Sequence, residues 1–177
     1  SVSSTGAASV AFIDPATDFA DGLRVLYAYH ESFILQGQRL LALAEAIGQQ
    51  GVGEETAAEA VRLAAYYEGT TRLHHQDEER ALFPFIVNKS FLTDGMIERL
   101  ALDHEEIDEH WAKLNEVLRA PEQIADPARL LDLTARFEKR LKTHIERENL
   151  DFFPVLEKML SPDQLARIGQ RMARLRK

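Results

Sequence analysis

At 177 residues with 45% hydrophobic content, the chain fits one domain with a substantial core. A formal charge of -8 and a pI near 5.3 argue against general affinity for nucleic acid or anionic membranes. Cysteine is absent, which excludes disulfides, iron–sulfur clusters and thiolate-bound zinc, so any metal must sit on nitrogen and oxygen.

Helical periodicity dominates the chain, and no apolar run approaches the ~20 residues of a membrane span. Residues 1–17 lack the basic start and long apolar core of a secretory signal; they read as a loose lead-in, with a cytoplasmic location as the expectation. The first helix is expected from near Asp18 to about Gln49, with Leu23, Leu26, His30, Phe33, Gly37, Leu40, Ala44 and Ile47 on one stripe. Three glycines between Gly48 and Gly53 predict a turn. The second helix follows from Glu54 to about Asn88, with Ala60, Leu63, Tyr67, Thr70, His74, Glu78 and Leu82 on one side. Thr93 and Asp94 open the third, whose stripe is Ile97, Leu100, His104, Ile107, Trp111, Leu114 and Leu118. Beyond Pro121 and Pro127 the fourth extends to about Leu160 through Leu130, Leu133, Phe137, Leu141, His144, Glu148 and Phe152. Ser161 and Pro162 cap a short fifth helix. Short links force antiparallel neighbours, so the expected fold is all-α: an up-down-up-down four-helix bundle over 18–160, then a short amphipathic, basic C-terminal helix over 161–177.

One pattern occurs twice. His74, Glu78 and the Phe83-Pro84 pair return as His144, Glu148 and Phe153-Pro154, displaced by 70 positions, and each half carries a lone histidine on an apolar stripe, His30 and His104. Histidine and glutamate at i and i+4 share a helix face, so each doublet can turn an imidazole and a carboxylate to a common point. Pro84 and Pro154 should bend or break their helices just past these residues. Burying four imidazoles and two carboxylates without partners is costly, and bound cations remove that cost. Glu78 and Glu148 then bridge two ions, with the imidazoles as terminal ligands; the set suits iron, manganese or zinc. The alternative treats each histidine as a satisfied core or surface residue and the glutamates as ordinary helix partners.

Ferritin-like bundles use Glu-x-x-His and extra glutamates, a carboxylate-rich set. Here the order is His-x-x-x-Glu and the other two helices supply histidine. The combination of His30, the segment from His74 through Phe83-Pro84, His104-Glu105 and the segment from His144 through Phe153-Pro154 resembles the hemerythrin-like family, also called the HHE cation-binding domain. The resemblance implies a four-helix bundle around a non-haem di-iron centre. His30 and His74 would be terminal ligands of one iron and His104 and His144 of the other, with Glu78 and Glu148 bridging and an oxo or hydroxo group between the metals. Oxygen-carrying hemerythrins have a fifth histidine one turn after that of the third helix, a position held here by Asp108. This departure suits sensing of O2, NO or peroxide, or iron loading, better than reversible oxygen carriage.

Asp108, Tyr27 and His110 are further candidates for a ligand or supporting role, while His75 is expected in a surface ion pair with Glu79. Tyr66, Tyr67 and Trp111 are placed near the cavity as packing. The C-terminal helix, with Leu165, Ile168, Met172 and Leu175 opposite Arg167, Arg171, Arg174 and Arg176, is expected to dock on its own bundle rather than on a membrane. The leading expectation is a module binding a small diatomic or peroxide ligand. The rival is repair of damaged iron centres or detoxification under oxidative or nitrosative stress, a role in which related proteins usually carry cysteines that this sequence lacks. A structural zinc or manganese bundle is the third.

Overall fold

Asp21 starts the first rod, its carboxylate accepting the backbone N–H of Leu23 at 2.9 Å and of Arg24 at 3.4 Å. The structure, a computed structural model, describes residues 12–177; of the expected lead-in, residues 1–11 lie outside the described residues. Helix α1 spans Gly22–Gln50. It runs through Gly48, and the chain turns at Gly51, whose φ of 76° is the left-handed conformation glycine tolerates without cost. α2 spans Glu54–Gln76 and passes through a π-helical turn, Asp77–Leu82, into α3, Phe83–Ile86. Ser90 caps α4, Phe91–Leu118, two residues earlier than Thr93 suggests. Asp126 caps α5, Pro127–Arg147, which passes through a second π turn, Glu148–Phe152, into α6, Phe153–Met159. A reciprocal cap between Ser161 and Gln164 opens α7, Pro162–Arg174.

The two prolines neither break their rods nor end them. A proline lacks the N–H that would bond four residues back, and its ring crowds that carbonyl. Both helices respond by widening one turn: the Phe83 N–H reaches the carbonyl of Glu78 and the Phe153 N–H reaches that of Glu148, each five residues back. The widened turns therefore begin at or beside the two glutamates of the repeat.

α1 packs on α2 and α5, and α4 packs on α2 and α5, closing a ring of four rods. The predicted stripes of these four rods face the shared core, with Ile97 alone among them only partly buried. α7 lies across α1 and the first π turn, burying Ile168, Gly169 and Met172. A side chain at Gly169 would collide with the backbone of Phe19, so glycine permits that close approach. The helix docks on its own bundle, yet one arginine departs from the expected outward face. Arg176 turns inward, with Nη1 and Nη2 on the two carboxylate oxygens of fully buried Asp77 at 2.7 and 2.8 Å, and Nε on Asp14 at 2.6 Å. Among the described residues, no helix is long and apolar enough to cross a membrane.

Between α1 and α5, burial pushes the Glu138 carboxyl up to about 7, although the Tyr67 hydroxyl, donating to it at 3.2 Å, pulls the other way. A carboxyl that binds its proton more tightly folded than unfolded makes stability fall as pH rises from the ordinary value of 4.5 to about 7. Metal-free Glu138→Gln should lose that slope and resist guanidine better than the parent above about pH 8. Identical pH dependence in the two proteins would refute a costly buried charge at this position.

Candidate metal centre

Each rod brings its histidine inward because that position falls on the apolar stripe. His30 comes from α1, His74 from the end of α2, His104 from α4 and His144 from the end of α5; the first and third are 1% and 2% exposed, the others 0%. Glu78 and Glu148, both 0% exposed, come from the π turns. The six side chains that the repeat singles out meet at one place. Oε1 of Glu78 lies 2.8 Å from Nε2 of His74 and 3.3 Å from Nε2 of both His104 and His144. Oε1 of Glu148 lies 3.0 Å from Nε2 of His30 and of His144, and 3.2 Å from that of His74. Within this set, one donor atom each from His74, Glu78, His144 and Glu148 fall within 4.8 Å of one another, close enough to hold a metal ion.

The outer nitrogens explain the orientation. Nδ1 of His30 faces the Asn149 side-chain oxygen at 2.7 Å, Nδ1 of His104 faces Glu79 at 3.0 Å, and Nδ1 of His144 faces Asp103 at 3.2 Å. An oxygen acceptor there fixes the proton on Nδ1 and leaves the lone pair on Nε2, turned to the carboxylates. Asp103 is itself held by Arg99 at 3.0 Å and by Arg147. His74 alone has an unpartnered Nδ1; its ring stacks on Tyr29 with centroids 6.0 Å apart.

Lone pairs of neutral imidazoles set against carboxylate oxygens repel unless a proton or a cation stands between them. Burial, with neighbouring His74 adding to it, pushes His30 down to about 3, a neutral donor. Burial also lowers His104, but its hydrogen bonds to Glu78 and Glu79 outweigh that and raise it. Burial would raise Glu78, yet His74, His104 and His144 together hold it well below the ordinary carboxylate range, so it stays anionic. The second oxygens of Glu78 and Glu148 are buried without any partner. Unfilled acceptors beside inward lone pairs are what a cation satisfies, so the residues present fit a bound metal.

The remaining candidates are placed elsewhere. The hydroxyl of Tyr27 is directed to Glu157 at 3.3 Å, and its ring meets His30 edge-on with centroids 6.4 Å apart. Asp108, with 62% of its side chain exposed, reaches Nδ1 of His75 at 3.1 Å rather than the cluster. His110 is half-buried and shares no hydrogen bond with the six among the described residues. His75, expected at the surface with Glu79, is instead 6% exposed, because its side of α2 is covered by α4; Glu79 is taken by His104.

Sequence reasoning missed Asn149, Glu79 as a support, Asp103, Tyr29 and Arg176. A signal existed for the first two: Glu79 and Asn149 are related by the same displacement of 70, and each holds the lone histidine of a neighbouring rod.

A family profile described as the hemerythrin HHE cation binding domain matches residues 21–156. A protein of Haemophilus influenzae, described as an uncharacterized protein, is 27% identical over 153 residues, which cover 85% of this chain and 87% of its own length. No solved structure matches the chain significantly.

Proposed function

The chain belongs to the hemerythrin HHE cation-binding family, and from that premise we propose that it is a non-haem di-iron protein that binds or senses O2, NO or peroxide. The observation that carries the reading is the pair of buried glutamates, each with one oxygen among three imidazole nitrogens and the other without a partner. In this assignment His30 and His74 would hold one ion and His104 and His144 the other, with Glu78 and Glu148 shared between them. Iron bound there would supply a redox-active Lewis-acidic pair able to take a small ligand. The chain's own residues do the rest. Asn149, Glu79 and Asp103 keep Nε2 unprotonated and aimed inward. Apolar neighbours shield the cluster from bulk water: Phe153 stacks on His30 at 5.4 Å and Phe33 meets His74 edge-on at 5.4 Å. A cleft of about 540 Å³ between α1 and α5 is lined in part by Phe33 and Asn149, which contact His74 and His30 respectively.

Anaerobic loading with iron(II), followed by metal analysis and absorption spectra under O2, NO or hydrogen peroxide, tests this. Two irons per chain and a near-ultraviolet or visible change with at least one of the three are expected. A change that reverses when O2 is removed indicates carriage, whereas irreversible oxidation with consumption of peroxide indicates turnover. Uptake of one zinc with no colour, and no stable iron, would rule the reading out.

A further inference from the structure

The two halves of the bundle repeat one frame, so each groove between rods has a counterpart with which it can be compared. Gly37 stands seven residues after His30 as Trp111 does after His104, and Glu138 stands six before His144 as Glu68 does before His74. In the groove between α2 and α4, Trp111 is 5% exposed and its indole Nε1 donates to Glu68 at 2.7 Å. In the cleft between α1 and α5 that ring is missing. Glycine holds its place, and any side chain there would collide with Oε2 of Glu138. Oε1 of Glu138 accepts from the Tyr67 hydroxyl at 3.2 Å, and among the described residues no N–H donates to the carboxyl.

The walls differ in the same sense. Where the first groove has Asp108, Asn115 and Thr71, the second has Ile34, Leu41 and Leu141 at the matching positions, with Ile34 55% and Leu41 42% exposed. An apolar cleft with one polar group turned to it is the usual make-up of a small-molecule site, and about 540 Å³ is within the usual size.

We infer that the cleft between α1 and α5 binds a small aromatic molecule carrying an N–H donor, of the indole class, with its nitrogen on Glu138 and its ring against Ile34 and Leu41. Such a ligand brings from outside the ring and donor that the chain itself supplies to Glu68. An anion would be repelled by the carboxylate, and a hydrocarbon would cover it without giving it a partner. None of the six clustered histidines and glutamates lines the cleft, so the inference stands whether or not the paired-metal reading does.

Titration of the full chain with indole at about pH 8, followed by NMR shifts and calorimetry, tests the assignment. Benzofuran, which has the same shape and no N–H, is the comparison. Indole is expected to bind with a Kd of about 1 mM or tighter, and about 10-fold more tightly than benzofuran. Glu138→Leu should lose that preference while still binding both. The double change Ile34→Asp with Leu41→Asn places the polar residues of the other groove at two exposed positions and should weaken indole by about 10-fold. Absence of indole binding by the parent would overturn the inference. So would a parent that does not distinguish the two molecules, a preference that survives in Glu138→Leu, or parental affinity in the double variant, which would locate the indole elsewhere.

Discussion

Glu78→Ala and Glu148→Ala are each expected to cut metal uptake from two ions per chain to one or none, and to abolish the stabilisation that metal confers. One oxygen of each carboxylate touches three of the four imidazoles, and both carboxylates touch His74 and His144. Deleting either one leaves inward lone pairs with no anion to share a cation, and removes the negative charge that offsets two buried positive ions. A ligand present at a thousandfold its Kd stabilises the fold by about 4 kcal/mol, and this linked share should vanish. The measurement is the shift in unfolding midpoint on adding iron(II), alongside metal analysis of the purified chain. Glu78→Gln and Glu148→Gln keep the volume and separate lost charge from a cavity. Full occupancy at two ions in either alanine variant would mean that its carboxylate does not bridge.

Arg176→Ala should destabilise the metal-free protein by about 3–5 kcal/mol, the usual consequence of removing one partner from a buried ion pair. Asp77 is 0% exposed, and both of its oxygens are held by this one guanidinium, which also bonds Asp14 and lies 3.2 Å from the Tyr29 hydroxyl. Without it, a carboxylate is left in the core beside Glu78, and the contact that ties the end of α7 to α1 and the π turn is gone. The double change Arg176→Met with Asp77→Leu should recover much of the loss, since two apolar side chains bury without desolvation cost. Denaturant titration of the metal-free chain gives the comparison. A cost below about 1 kcal/mol, the range of an exposed pair, would show that solvent screens the contact. Tyr29 stacks on His74, so the same variant should also loosen metal binding, which an effect confined to α7 would not do.

Periodicity alone was enough to place the rods, because an apolar stripe at helical spacing has one low-energy solution: to face another such stripe. The stripes of α1, α2 and α5 are buried as spacing predicts, and the six repeated side chains converge because each occupies a stripe position. Cap positions were less legible. Gly48 looks like part of a turn in sequence, yet α1 continues past it because Leu43, Ala44 and Ile47 hold the last turns against the core.

What spacing cannot encode is the contact between rods. Whether His75 faces water or α4 depends on where the neighbouring helix lies, and the pairings His75 with Asp108, Glu79 with His104 and Asn149 with His30 each join residues more than 20 positions apart. Arg176 reads as surface charge on an amphipathic helix, and only the docking of α7 brings it to Asp77. The prolines announce a disturbance of the helix, and only the structure shows that a widened turn, rather than a break, absorbs it in both rods. Local sequence carries the face that each side chain presents, since that depends on helical geometry within one turn. The partner met by that face, and with it the protonated nitrogen of each imidazole, is settled by long-range packing, because the energy of a buried polar atom is set by its neighbours across the core.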